Sequence, residues 1–391
     1  NETRTTYDYD VRGRLTALRT LDKDSHAIQN VTYAFKPDNS ISQREDSIGT
    51  QYDARRVRYD YRYDGLNRLV VAQGDMQKGE DLVSVKKFKL AYSYAQNGNM
   101  LSKDVYDTTT DTVDDRWSYS YANHAVTGIS SSKTGTRFLM SYDKSGNMTS
   151  QEDRVKKVRK EMAFDSSNRI SKVIDPTTGK TIGQYEYDDQ GFRVRKLAAE
   201  ILNGAEKTVE VLYPSMYFAI EKQRNSIGVE IPNTAYAVNN IYLNGVRVAA
   251  SLPNGECQYY LTDQVDSVSV VTDDKASVVN RFEYLPFGEA WDTSGDGVNR
   301  PKYCSAELDA ETNFYYMNAR YQDPGICRFT TPDTVIDGEY STQGWNRYSY
   351  CHNNPVRYKD PTGHLTSSKE LTDSSKWGSG DAYKMYDAGR R

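Results

Sequence analysis

The sequence predicts an all-β repeat protein in which antiparallel hairpins stack into one long, coiling sheet. Three observations carry this. A tyrosine-rich element, Tyr-x-Tyr/Phe-Asp/Ala-x-x-Gly/Asn-Asn/Arg-hydrophobic, recurs from residue 7 to about 195. Its anchor aromatics at 9, 35, 63, 94, 121, 142, 164 and 187 step by 26, 28, 31, 27, 21, 22 and 23 residues, and a period in the twenties marks a repeat architecture. Finally, mean hydropathy is −0.79 with 37% hydrophobic residues, low for one compact core in 391 residues. Yet 32 tyrosines and steady strand patterning argue against disorder. A thin wall with much surface and little dry interior satisfies both.

Each copy reads as strand, turn, strand. Clear copies begin at Tyr7, Tyr61, Tyr92, Met140, Met162 and Tyr185, with degenerate ones at Tyr33 and Tyr119. The Tyr-x-Tyr spacing puts both rings on one face, because strand side chains have period two. Asp64-Gly65, Asn97-Gly98 and Gly146-Asn147 suit turns with positive φ. The second strand resumes at Leu69, Met100, Met148 or Ile170. One hairpin cannot bury its own face, whereas stacked hairpins can. An inward tyrosine suits a broad, partly wet inner face, since the ring is apolar and its hydroxyl polar. The alternative is an ordinary β-sandwich, although sandwich strands rarely carry a repeat visible in sequence. From about residue 205 the repeat fades, while strand signals persist at 208–213, 241–249 and 257–261 with Asn-Gly turns between them.

Charge narrows the function. Fifty basic and 54 acidic residues give a net charge of −4, which excludes nonspecific nucleic-acid binding as a property of the whole chain. The basic run 154–160 reads as a solvated connection or edge. No run of about 18 apolar residues and no signal peptide is present. The first residues are already mid-repeat, as in the C-terminal part of a longer protein. Cys257, Cys304, Cys327 and Cys351 match no zinc spacing. They read as mostly buried free thiols, with a disulfide among the last three left open. His26, His124, His352 and His364 are scattered and form no Ser-His-Asp or Cys-His constellation. No cofactor or metal is expected.

A denser block follows at 259–364. It includes Tyr284-Leu285-Pro286-Phe287-Gly288-Glu289, a run from Glu307-Leu308-Asp309 through Tyr315-Tyr316 and Ala319-Arg320-Tyr321 to Asp323-Pro324, and Asn353-Asn354-Pro355 before Asp360-Pro361-Thr362-Gly363. On these motifs and their order the chain resembles the Rhs/YD-repeat family: bacterial polymorphic-toxin shells related to the C component of Tc toxins and to teneurin shells. The resemblance extends to about residue 364. It implies a hollow, barrel-like β-cocoon with a cavity far larger than the roughly 300–1,000 Å3 of ligand pockets. An associated core domain would plug one end. Two aspartates there would cut the chain after the Asp-Pro-Thr-Gly-His motif, releasing a C-terminal toxin held inside. The chain departs from the family at Leu261, Gln264 and Asp266, which replace two histidines and a glycine. It departs again at Cys327 for glycine, Thr334 for proline and His364 for leucine.

On this register Asp333 and Asp360 are the catalytic candidates, and His364–Leu365 is the cleavage site. Asp337 competes as a partner for Asp333, and Arg328 or Arg347 would tune the pair. Two close carboxylates cannot both ionise, so one keeps its proton. Asp360 also reads as a plain turn residue, and the two roles are compatible. The chain divides into a repeat wall at 1–204, final wall turns and core at 205–364, and a linker or the start of a variable toxin at 365–391. The function expected is encapsulation with, at most, single-turnover aspartyl self-cleavage. Expected partners are the chain's own toxin domain, an N-terminal shell portion or second shell-forming chain, and a bacterial secretion system that delivers it outside the cell or to its surface. The alternative is a surface adhesion or carbohydrate-binding module whose tyrosines face outward. An enzyme acting on external substrates has little support.

Overall fold

The structure is a computed structural model; it describes residues 1–49, 54–202, 205–225, 227–295, 300–336, 342–364 and 366–368. Twenty-four strands, from Arg4–Tyr9 to Ala290–Ser294, form one antiparallel sheet in which each strand pairs with its sequence neighbours. Pairing does not change at residue 205, so the fading of the repeat in sequence is not a break in the sheet.

The repeat has a physical unit that its sequence only partly displays. The register slips by one residue just before each anchor aromatic, as between Arg62 and Tyr63 or Ser141 and Tyr142, a bulge that sharpens the local twist. A five-residue turn follows. At 64–68 the Asp64 amide donates to Arg68 O (3.0 Å), and Asp64 Oδ1 accepts the Leu66 and Arg68 amides at 2.9 and 3.0 Å. The positive φ expected at Gly65 falls instead on Asn67 (60°), the fourth turn residue. The same turn recurs at 263–267 and 273–277, where the tyrosine signature is gone.

Successive hairpins are clipped together in both directions. The anchor hydroxyl reaches back to the previous hairpin: Tyr63 to Ile41 O (2.8 Å), Tyr94 to Leu69 O (2.8 Å) and Tyr187 to Ile170 O (2.7 Å). The turn arginine reaches forward. Arg68 lies 4.9 Å over the Tyr94 ring and donates to Ala95 O at 2.7 Å. Arg169 does the same with Tyr187 (4.7 Å) and Asp188 O (3.2 Å). Each clip adds a cation–π contact and two hydrogen bonds to the main-chain ladder.

The meander coils until its end lies across its beginning. Glu283 receives Arg44, Arg55 and the Tyr59 hydroxyl at 3.2, 2.6 and 2.7 Å, and Gln29 reaches Ser269 at 2.7 Å. The first and last strands are not paired with each other among the described residues, so this sheet is coiled but open.

Residues from Pro301 onward leave the wall and pack on its concave face. They form a four-stranded sheet, Glu307–Asp309, Phe314–Met317, Arg320–Asp323 and Arg328–Phe329, with irregular segments after it. This core block joins the wall's Tyr33, Tyr59, Tyr61, Tyr92, Tyr119 and Tyr185 in one apolar cluster. The inner face is therefore dry where the tyrosines suggested a partly wet one. At the seam the wall and the core block leave a narrow cleft beside Arg44 and Asp263. Turn glycines admit the block: at Gly146 (φ 88°) a Cβ would lie 2.5 Å from the Tyr348 hydroxyl. Buried ion pairs fasten the seam, with Asp309 bound by Arg193 (2.5 Å) and Lys196 (2.9 Å). All four cysteines are free, so the disulfide option falls. Among the described residues no helix is long and apolar enough to cross a membrane.

Candidate functional site

The candidate site lies where three pieces of the core block meet. The first is the turn from Asp360 to His364. Asp360 Oδ1 accepts the His364 amide (3.1 Å) and the Thr362 hydroxyl (3.3 Å), an Asx-type arrangement that Asp favours. Gly363 has φ 75°, and a Cβ there would sit 2.3 Å from Met317 O and 2.9 Å from the Arg320 amide. Only glycine lets this turn settle on the hairpin 317–320. Asn318 Nδ2 and the Ala319 amide then hold Pro361 O and Thr362 O at 2.8 and 3.2 Å.

The second piece is that hairpin, which supplies Arg320. Its Nη2 donates to Asp333 Oδ2 (2.7 Å) and to Asp360 Oδ2 (3.0 Å). Its Nη1 donates to Arg347 O (3.0 Å) and its Nε to Gly363 O. Its guanidinium lies 3.5 Å over the Phe329 ring. The third piece is the segment carrying Asp333. The Asp333 amide donates to Arg347 O (2.9 Å), and Arg347 Nε returns a bond to Asp333 O. Asp333 Oδ1 accepts the Val335 amide (3.0 Å) and faces His364 Nδ1 at 2.7 Å.

Asp333 and Asp360, 27 residues apart in sequence, are thus brought onto one guanidinium nitrogen. They are 4% and 1% exposed. Burial pushes the Asp360 carboxyl above its usual range, with Asp333 adding to the rise and Arg320 opposing it. The arrangement sets two carboxyl groups on one cation beside the residue 364 backbone. The same triad also suits a purely structural role, because buried carboxylates need a paired cation.

The other candidates separate. Arg347 meets the site through its carbonyl, which accepts from Arg320 and from the Asp333 amide, and through its Nε, which donates to the Asp333 carbonyl. Arg328 is fully buried elsewhere, donating to Asn346 Oδ1 (2.6 Å) and His124 O (3.3 Å), and does not touch the pair. Asp337 and Leu365 lie outside the described residues, as does most of 365–391. Arg320 was missed as a site residue although its motif was noted. The available signal was a cation opening a four-residue strand between apolar neighbours, a place where an unpaired charge does not survive.

Comparison with known proteins agrees with this architecture. A family model described as "Teneurin YD-shell" matches residues 245–356. Toxin subunit YenC1 of Yersinia entomophaga is 24% identical over 92% of this chain and 40% of its own length. The tRNA nuclease WapA of Bacillus subtilis is 26% identical over 58% of this chain, and mouse teneurin-1 is 24% identical over 75%. The chain spans about a tenth of WapA and of teneurin-1. Among solved structures, the Photorhabdus luminescens Tc holotoxin pore superposes with a TM-score of 0.75 at 18% identity, over 93% of this chain and 18% of the other. The TcdB2–TccC3 complex matches equally, with a TM-score of 0.75 over 92% of this chain. A coiled meander of clipped hairpins with a plug on its concave face defines a repeat-shell β-protein. In its motif block, its coiled sheet and these relatives, the chain is similar to Rhs/YD-repeat shell proteins.

Proposed function

We propose that this chain is the wall and plug of a toxin-encapsulating shell, and that it separates itself from a C-terminal effector by one cut between His364 and Leu365. The carrying observation is the buried Asp333–Arg320–Asp360 triad, one of whose carboxylates holds the residue 364 amide. In this reading a water oxygen attacks the His364 carbonyl carbon while Asp333 takes the water's proton. Asp360, in its protonated form, donates its proton to the carbonyl oxygen; as the resulting gem-diol collapses, Asp360 takes a proton back from one of its hydroxyls and Asp333 passes the water's proton to the departing Leu365 nitrogen. The C–N bond breaks, one water is consumed, and a carboxyl and an amine remain. The substrate is part of the same chain, so no encounter step limits the reaction, and burial strengthens both carboxyl effects.

The relatives named as a toxin subunit and as a nuclease support the encapsulation reading, and with it delivery from a bacterium by a secretion route. The open first strand supports an adjoining shell portion, from the same polypeptide or a second chain. Its Tyr7 and Tyr9 are 51% and 43% exposed, whereas Tyr61 and Tyr92 in matching copies are 8% and 5%. Inward burial of the repeat tyrosines counts against the adhesion or carbohydrate-binding reading. Intact-mass analysis of the purified chain tests the cut. The expected products are a shell ending at His364 and a 27-residue remainder, both absent in Asp333→Asn. A wild-type chain and a His364→Leu chain that both stay whole through Arg391 overturn self-cleavage.

A further inference from the structure

We propose that the His364 side chain is an autoinhibitory latch: it covers Asp333 and slows the cut that its own backbone is positioned to undergo. This rests on the self-cleavage reading above and adds a regulator to it. A carboxylate acting as base must aim a free lone pair at the water it deprotonates. Asp333 has little left to aim. Of its four acceptor positions, Oδ2 gives one to Arg320, and Oδ1, the oxygen turned toward residue 364, gives both to the Val335 amide and to His364 Nδ1. The imidazole therefore takes the position a water would need on Oδ1, the oxygen nearest the peptide to be cut.

Residue 364 is held twice, its amide on Asp360 Oδ1 and its ring on Asp333 Oδ1. The amide bond positions the peptide for attack, and the ring bond blocks the attacker. The ring also has room to leave. Its side chain is 24% exposed against 6% for Asp333. It borders a narrow cleft lined by Arg320, Asn346, Arg347, His352 and Thr366. Rotating the partly exposed ring away toward solvent would uncover Oδ1 and admit water by the same path. A side chain of similar size with no hydrogen-bonding atom cannot make the latch.

The test is a time course of intact mass started by in vitro translation of the full 391-residue chain, with His364→Leu, His364→Gln and the double variant His364→Leu/Asp333→Asn beside wild type. Freeing a general base is expected to speed His364→Leu by about tenfold or more. His364→Gln, which keeps a donor for Asp333, should stay near the wild-type rate, and the double variant should not cleave. Equal melting temperatures would show that folding is not the variable. If wild type cleaves through Asp333 but His364→Leu is no faster, the latch is wrong and self-cleavage stands. If His364→Leu and the double variant cleave alike, Asp333 is not the base and both ideas fall. If no variant cleaves, both fall as well.

Discussion

Asp10 in the wall and Asp360 in the core block head turns built to one local plan. In each, Oδ1 accepts the amide four residues on, the fourth residue has a positive φ (76° at Gly13, 75° at Gly363), and Oδ2 meets an arginine. Their acidities move in opposite directions. The Arg14 side chain lowers Asp10, whereas burial raises Asp360. The difference lies in what surrounds the turn. Asp10 faces solvent with its own i+4 arginine, while Asp360 sits under a block of packed side chains and shares its arginine with a second aspartate. A repeat element made for clipping hairpins acquires the makings of chemistry once it is buried and paired.

The sharpest way to break this comparison is to make the same substitution at both turns. Asp360→Asn is expected to abolish appearance of the fragment ending at His364, and Asp10→Asn to leave its rate unchanged, both read by intact mass. Equal losses would mean that the turn itself, and not its burial, carries the effect.

Glycine substitution probes how tightly each turn is enclosed. Gly363→Ala combines a left-handed conformation with a main-chain clash and should cost on the order of 3 kcal/mol or more. Gly79, at φ 81° with nothing within 4 Å of a built Cβ, carries only the conformational cost, about 1 kcal/mol on replacement by Ala. Urea denaturation of the two variants measures the gap, and a Gly363→Ala protein as stable as Gly79→Ala would show that the core-block turn can relax.

The smallest expected effect is a pH signature separating two buried seams. Glu283, between Arg44 and Arg55, is desolvated by burial, yet those arginines outweigh the penalty and hold it down at about 2. It stabilises the fold above about pH 4.5, and that contribution is lost as pH falls toward 2. Glu311 is pushed up to about 7 by burial and by Asp309, against Lys196. Its contribution is full below about pH 4.5 and is lost as pH rises through 7. Glu283→Gln should therefore be destabilising at pH 6–8 and nearly neutral near pH 2. Glu311→Gln should gain on wild type between pH 4.5 and 7 and level off above. Thermal melts across pH 2–8 check both signs, and parallel curves for the two variants would remove the distinction.

The strand-turn-strand unit, its period and the face occupied by tyrosine were legible in the chain because they follow from spacing of two and from residues that favour turns. The motif block pointed to Asp333 and Asp360. Arg320 escaped notice because its role depends on meeting two carboxylates 13 and 40 residues later, and no local pattern reports a partner at that distance. For the same reason Arg328, adjacent to the right motif, turned out to serve the wall–core seam.

By itself, then, the sequence determined the local order of this protein: hairpin after hairpin, with bulge, turn and clip encoded within some thirty residues, where backbone and side-chain preferences act. Only the tertiary structure decided that the inner face is dry, that the sheet remains open, and that His364 rests on Asp333. Those outcomes depend on the core block settling onto the concave wall. Burial then strips water from groups far apart in the chain and leaves each charge with only the partners that packing supplies.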